Sequence, residues 1–283
     1  MRLAYSTNGY TRTHLADAIR RIGAVGYQGV ELLADDPHWT PGQSGALVRA
    51  VRAALADAGV AVSNVNANTA MGLWPSPMPE TVFEPSLSHH DPAVRGRRLA
   101  YTRAALDFAA EVGAPALSVT SGRTEAEYSP QEGMRWFADS LAKVCEWGQA
   151  RGVRIGIEYE PGLLVETSTE VAQILATVGH SMLGANLDLG HAICAGEDPL
   201  VAIERLADRI WNVHMEDIRG QKHYHLVPGE GDVDFAALVD GLAAAGYDRW
   251  ITVELYTCSA RADAAASSAH RVLAPLVQGA QRP

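Results

Sequence analysis

Short apolar runs alternate with helix-length stretches from one end of this chain to the other, and that rhythm constrains the fold more than any other feature. In the first half, runs at 3–6, 29–33, 60–65 and 116–119 precede helices expected at about 11–24, 44–58, 91–112 and 130–150. In the second half, runs at 153–157, 182–187, 210–213 and 250–253 precede helices at about 168–178, 199–208, 235–245 and 260–277. Asp91 before Pro92 reads as an N-cap with proline in the first helical position. Several helices stop at a small residue and a glycine, such as Ala24-Val25-Gly26 and Ala150-Arg151-Gly152, where glycine permits the left-handed turn into the next strand. About eight such units predict an α/β fold of the (β/α)8 TIM-barrel type, with residues 1–283 as one domain. A doubly wound open sheet is the alternative, and it offers no simple reason for what stands at the ends of the last four runs.

Those four runs are closed by Glu158, Asp188, His214 and Glu254. As consecutive parallel strands of one barrel they would bring three carboxylates and an imidazole to one rim, a donor set suited to a single divalent cation. Taken singly, each has a plainer reading. Glu158 would be a charged strand end in solvent, Asp188 the N-cap of a turn, and His214 a hydrogen-bonded core histidine. Glu254 lies between Val253 and Leu255, and burying it unpaired would cost on the order of several kcal/mol, so a cation or a shared proton is expected beside it. Glu160 shares the strand face of Glu158 and is a candidate to support a metal ligand or to hold a second metal. His191 follows Asp188 closely enough to reach the same centre. His223 and His225, two residues apart, are either ligands on one extended face or solvent-facing loop residues.

A net charge of −10, from 23 Lys+Arg against 33 Asp+Glu, lacks the basic footprint of a phosphate-backbone binder, so no nucleic-acid partner is expected. Cys145, Cys194 and Cys258 form no CxxC pattern and suggest neither a disulfide framework nor structural zinc. The first residues lack a signal-peptide pattern, and no apolar run approaches the roughly 20 residues that span a bilayer. The expectation is a soluble cytoplasmic protein without a membrane partner, with self-association as a homodimer or homotetramer left open. The connection at about 66–90 is a long insertion holding Trp74, Phe83 and Pro75-Ser76-Pro77-Met78-Pro79. It reads either as a partial lid, with Trp74 and Phe83 closing the site against water, or as packing on the barrel wall. The connection at 215–234 is also long, and densely polar.

The segments Ile157-Glu158, Leu187-Asp188-Leu189-Gly190-His191, Val213-His214-Met215-Glu216-Asp217, Pro228-Gly229-Glu230-Gly231-Asp232 and Val253-Glu254 carry a resemblance that spans essentially the whole chain. It is to the xylose-isomerase-like TIM-barrel superfamily of sugar and sugar-phosphate isomerases and epimerases, to which endonuclease IV is related. The resemblance implies Glu158, Asp188, His214 and Glu254 as metal ligands, with His191 and Arg219 near the substrate. Endonuclease IV carries further histidine ligands on its early strands, where this chain offers Asn66 or Asn68 and Thr120-Ser121-Gly122-Arg123. Asn66 is therefore read as substrate-binding, and a nuclease is disfavoured. His223 and His225 align with ligand positions of that relative, so a remnant second site stays open.

One divalent ion is expected, Mn2+ first, with Mg2+, Co2+ and Zn2+ as alternatives. Polarising a carbonyl and its neighbouring hydroxyl, it would support proton removal and return by Glu158 and Glu254 through an enediolate. The leading expectation is an isomerase or epimerase acting on a small sugar or polyol. A dehydratase of a keto-cyclitol or dehydroshikimate-like substrate is the alternative, ahead of a nuclease or a metabolite-binding barrel.

Overall fold

The computed structural model describes residues 1–43, 45–74, 81–123 and 126–280. Ser44, the expected start of the second helix, and the Pro75–Pro79 stretch of the insertion lie outside the described residues.

Eight strands close into a parallel barrel: β1 (Arg2–Ser6), β2 (Gly29–Leu33), β3 (Ala61–Asn66), β4 (Ala116–Val119), β5 (Arg154–Ile157), β6 (Leu183–Asp188), β7 (Ile210–Met215) and, last in the chain, β10 (Trp250–Val253). Each pairs in parallel with its neighbours, and β1 closes the ring between β10 and β2. β2, β6, β7 and β10 are buried at every residue, as expected where helices cover the outside and side chains fill the inside. The sequence reading of a (β/α)8 barrel is therefore correct.

Local chemistry sets the helix boundaries. Asp91 caps the helix Pro92–Glu111, and Ser129 with Glu132 forms a reciprocal capping box at the start of Pro130–Arg151. Gly152, with φ 69°, ends that helix in the left-handed conformation and turns the chain into β5.

Two connections differ from the sequence reading. Within 215–234 the chain forms an antiparallel pair, β8 (Asp217–Arg219) and β9 (Lys222–Leu226), in which Arg219 faces Lys222 across Gly220-Gln221. Residues 189–194, for which the sequence suggested no more than a turn after Asp188, form the short helix Leu189–Cys194.

The insertion is fastened to the barrel by buried polar groups. Asp35 accepts from the backbone N–H groups of Met71 and Gly72, both at 2.8 Å, from the Tyr101 hydroxyl at 2.8 Å, and from the Thr69 hydroxyl. The buried Arg98 guanidinium donates to the carbonyls of Ala67 (2.6 Å) and Asn68 (2.9 Å). These contacts satisfy backbone groups that a loop lying on the barrel would otherwise leave unpaired.

Candidate metal and active site

The barrel interior below the C-terminal rim is polar rather than aliphatic. Ser63 bonds Thr252 at 3.1 Å, Thr252 donates to Asn212 at 3.0 Å, and Asn212 donates to Asn186 at 2.7 Å. Asn64 donates to Ser118 at 3.1 Å and to the carboxylate of Glu31 at 2.8 Å. A connected, fully buried network of this kind holds its members in fixed orientations, because each lost bond leaves a desolvated group behind.

Above it, donor atoms of Glu158, Asp188, His214 and Glu254 all lie within 4.8 Å of one another, and all four residues are buried. Strand geometry accounts for the convergence. Asp188 is the last residue of β6, His214 is its register partner on β7, and Glu158 and Glu254 directly follow β5 and β10. His214 Nδ1 lies 3.3 Å from Glu158 Oε2, 3.6 Å from Glu254 Oε2 and 3.8 Å from Asp188 Oδ2.

Asp188 is the N-cap that its plainer reading expected, and its second oxygen is turned to the candidate cluster. Its Oδ1 accepts from the His191 backbone N–H at 2.8 Å and caps the short helix, while its buried Oδ2 has no hydrogen-bond partner and faces His214. Glu254 is held on one side: Asn8 (2.7 Å) and Asn66 (3.0 Å) both donate to its Oε1, which leaves Oε2 toward the cluster. The Asn186 amide contacts Glu158 Oε2 closely.

The donors present fit a divalent cation. Three carboxylates and an imidazole converge in a buried space, one carboxylate oxygen is orphaned, and only a positive charge relieves their mutual repulsion. Protons carry part of that charge in the metal-free protein. Burial disfavours imidazolium, yet Glu31, Glu158 and Glu254 raise the His214 pKa well above its ordinary value. Burial raises Glu254 strongly. Burial and the neighbouring Asp188 carboxylate raise Glu216 well above its ordinary value, and its two buried oxygens have no hydrogen-bond partner among the described residues.

Next to the cluster three imidazoles meet. His191 Nε2 lies 2.9 Å from His223 Nε2, which lies 2.7 Å from His225 Nε2. His191 donates from Nδ1 to the Tyr159 carbonyl at 2.8 Å. His225 is fixed by a 3.0 Å bond to the Glu254 carbonyl and adopts φ 45°, unusual for a side-chain-bearing residue. Burial brings His223 down to about 4 and His225 to about 3, so both are neutral near pH 7. Burial opposes charge on His191 too, but Asp188 and Glu160 raise it to about 9. Burial pushes Glu160 up to about 7.

A cavity of about 440 Å3 opens over these groups. Its polar side includes Glu158, Glu160, Glu254, Asn66 and the three histidines, and its apolar side includes Leu33, Met71, Val82, Phe83 and Tyr256. Among the described residues, Trp74 and Arg219 are not part of that lining. Trp74 donates its indole N–H to the Glu84 carbonyl at 2.6 Å beneath the Arg97 guanidinium, and the exposed Arg219 contacts the Glu230 carbonyl on the outer side of the β8–β9 hairpin. Glu31, Asn8 and Glu216 contribute to the site without having been singled out from the sequence. For Glu31 a signal was present: a single carboxylate inside Val30-Glu31-Leu32-Leu33 has to find a buried partner.

Comparison with known proteins agrees with the barrel fold. An inosose dehydratase from Lacticaseibacillus casei is 29% identical over 143 residues, which are 44% of this chain and 48% of that relative. The chain thus matches about half the length of that protein. A fructoselysine 3-epimerase from Escherichia coli O157:H7 is 23% identical over 265 residues, 91% of each chain. Among solved structures, a D-tagatose 3-epimerase-like protein superposes with a TM-score of 0.81 at 20% identity, covering 99% of both chains. The IOLI protein with a bound zinc atom superposes with a TM-score of 0.79 at 16% identity over the full length of both. At these identities the structural likeness is one of fold. The family model for the xylose isomerase-like TIM barrel matches residues 19–276, and the chain belongs to that family.

Proposed function

We propose that this protein is a divalent-metal-dependent isomerase or epimerase of a small sugar or polyol, working by proton transfer next to a carbonyl. The observation that carries the reading is the pairing of two carboxylates, Glu158 and Glu254, at the floor of one cavity and within 4.8 Å of each other through the ligand cluster. Glu158, Asp188, His214 and Glu254 would hold the cation, which, when bound, supplies Lewis-acid polarisation of a carbonyl and its adjacent hydroxyl. Mn2+ is our first choice for that ion.

The chain's own residues do the rest. Glu158 and Glu254 stand on strands separated by β6 and β7, so they address a bound sugar carbon from different sides. One takes the proton from the carbon next to the carbonyl and the other delivers a proton, to the opposite face for epimerisation or to the neighbouring carbon for isomerisation. Asn8 and Asn66 keep Glu254 aimed, and Asn66, His223 and His225 line the cavity where substrate hydroxyls would lie. The fructoselysine 3-epimerase relative supports this reading.

Glu160 favours a second reading. Its carboxyl lines the same cavity, 3.7 Å from His191 and 3.6 Å from His223, and its pKa near 7 lets it donate a proton at neutrality. The enediolate formed by Glu158 or Glu254 could then lose a β-hydroxyl as water, as in a dehydratase, the activity named for the Lacticaseibacillus relative.

Incubation of Mn2+-loaded protein with a panel of keto-sugars and keto-cyclitols in deuterium oxide tests both. Deuterium entering the carbon beside the carbonyl without loss of water supports the isomerase or epimerase. Deuterium entry with an unsaturated product supports the dehydratase, and no exchange with any compound counts against enolisation chemistry altogether.

A further inference from the structure

Glu31 is fully buried in the middle of β2, on the far side of His214 from the ligand cluster. Its Oε2 lies 2.6 Å from His214 Nε2 and accepts from Asn64 Nδ2 at 2.8 Å. Asn66 Nδ2 approaches its Oε1 at 3.4 Å, and Asn212 Nδ2 approaches Oε2 at 3.5 Å. Every close partner of this carboxylate is thus a donor or the imidazole.

A neutral imidazole carries one N–H, and both of its nitrogens face carboxylate oxygens here. Nε2 lies within hydrogen-bond distance of Glu31, at 2.6 Å, whereas Nδ1 stands 3.3 to 3.8 Å from oxygens of Glu158, Glu254 and Asp188, a spacing that leaves no short hydrogen bond on that side. With the proton on Nε2, the ring donates to Glu31 and its Nδ1 lone pair points into the cluster. With the proton on Nδ1, a lone pair would confront a carboxylate at 2.6 Å and an N–H would occupy the direction in which a cation must bind. Of the two neutral tautomers, only the first lets a cation sit among Nδ1 and the three carboxylates without setting a lone pair against Glu31.

We propose that Glu31 is a positioning residue for the metal centre: it holds the proton of His214 on Nε2 and so commits Nδ1 to the cation. The proposal rests on the ligand set put forward above. The carboxylate also makes the ring a stronger donor by taking part of the N–H proton's charge, and the Asn64, Asn66 and Asn212 amides hold Glu31 itself in place. Asn66 ties this outer group to the metal set, because its amide also reaches Glu254 Oε1 at 3.0 Å.

The test uses full-length protein with 15N-labelled histidine, loaded with Zn2+ or 113Cd2+, together with Glu31→Gln and Glu31→Leu. Long-range 1H–15N spectra should show His214 with its proton on Nε2 and, for cadmium, coupling through Nδ1. By chelator competition, Glu31→Gln should weaken metal binding by roughly 10- to 100-fold, and Glu31→Leu, which accepts no hydrogen bond, should weaken it at least as much and admit the Nδ1–H tautomer. A residue needed only for packing would lower the melting temperature and leave tautomer and affinity as they were. Metal bound through His214 Nε2 in the unmodified protein overturns the proposal, and that spectrum decides even if both variants fail to fold. So does affinity within about twofold of wild type in Glu31→Gln, because a carboxylate that orients a ligating imidazole should matter more than that. Absence of metal from the four-residue cluster in the unmodified protein would instead remove the ligand set on which the proposal rests.

Discussion

At the scale of single residues, the decisive contrast is between groups that touch the proposed chemistry and groups that aim them. Replacing Glu158 or Glu254 by Gln preserves shape but removes a base, so turnover should fall by at least about 100-fold, the range of acid–base contributions; rates of deuterium exchange in each variant check this. Metal affinity should depend on pH in a defined direction. His214 and Glu254 hold protons more tightly than usual in the metal-free protein, so binding a cation releases protons and affinity must fall as pH is lowered. Isothermal titrations in buffers of different ionisation enthalpy read that proton release directly. All four ligand candidates were legible in the sequence because each ends an apolar run, a position that a parallel barrel turns toward one rim. Glu31 was legible only in part: its apolar neighbours call for a buried partner, but a residue inside a strand does not say what crosses the barrel to meet it.

Elements decide how well those residues are held. The alternation of strands and helices was plain in the sequence, but the β8–β9 hairpin was hidden in a polar stretch whose pairing depends on the Gly220-Gln221 turn rather than on hydrophobic periodicity. Its consequence is local: the hairpin brings His223 and His225 over the barrel mouth, while Arg219 is left on the outside. In the insertion, Phe83 lines the cavity and Trp74 serves as an anchor. Phe83→Ala should therefore raise KM with little change in melting temperature, whereas Trp74→Ala should lower the melting temperature and leave turnover per folded molecule nearly intact. Gly190, in the short helix after β6, has no room for a side chain, since an added Cβ would stand 1.7 Å from Glu216 Oε1. Gly190→Ala should cost about 1–3 kcal/mol of stability by chemical denaturation, in keeping with overpacking of a buried site.

For the whole molecule, the barrel confines four charged groups to one buried place that is costly without a counter-charge, and a cation that binds only the folded state should stabilise it. Addition of Mn2+ at about 100 times its dissociation constant should contribute about 2.7 kcal/mol, seen as a rise in melting temperature. Among the described residues no helix is long and apolar enough to cross a membrane, and the cavity is of a size for a small polar metabolite. The architecture was legible because eight repeated units leave few other ways to bury so many apolar runs; the substrate was not, because the cavity wall is assembled from side chains on several separate connections. On the proposal made here, Glu158, Asp188, His214 and Glu254 together hold one divalent cation. Anomalous scattering from crystals of chelator-stripped protein resupplied with Mn2+ tests it most directly: one peak per chain bonded to all four residues is the predicted result, and a vacant cluster, or Mn2+ bound only among His191, His223 and His225, would contradict it.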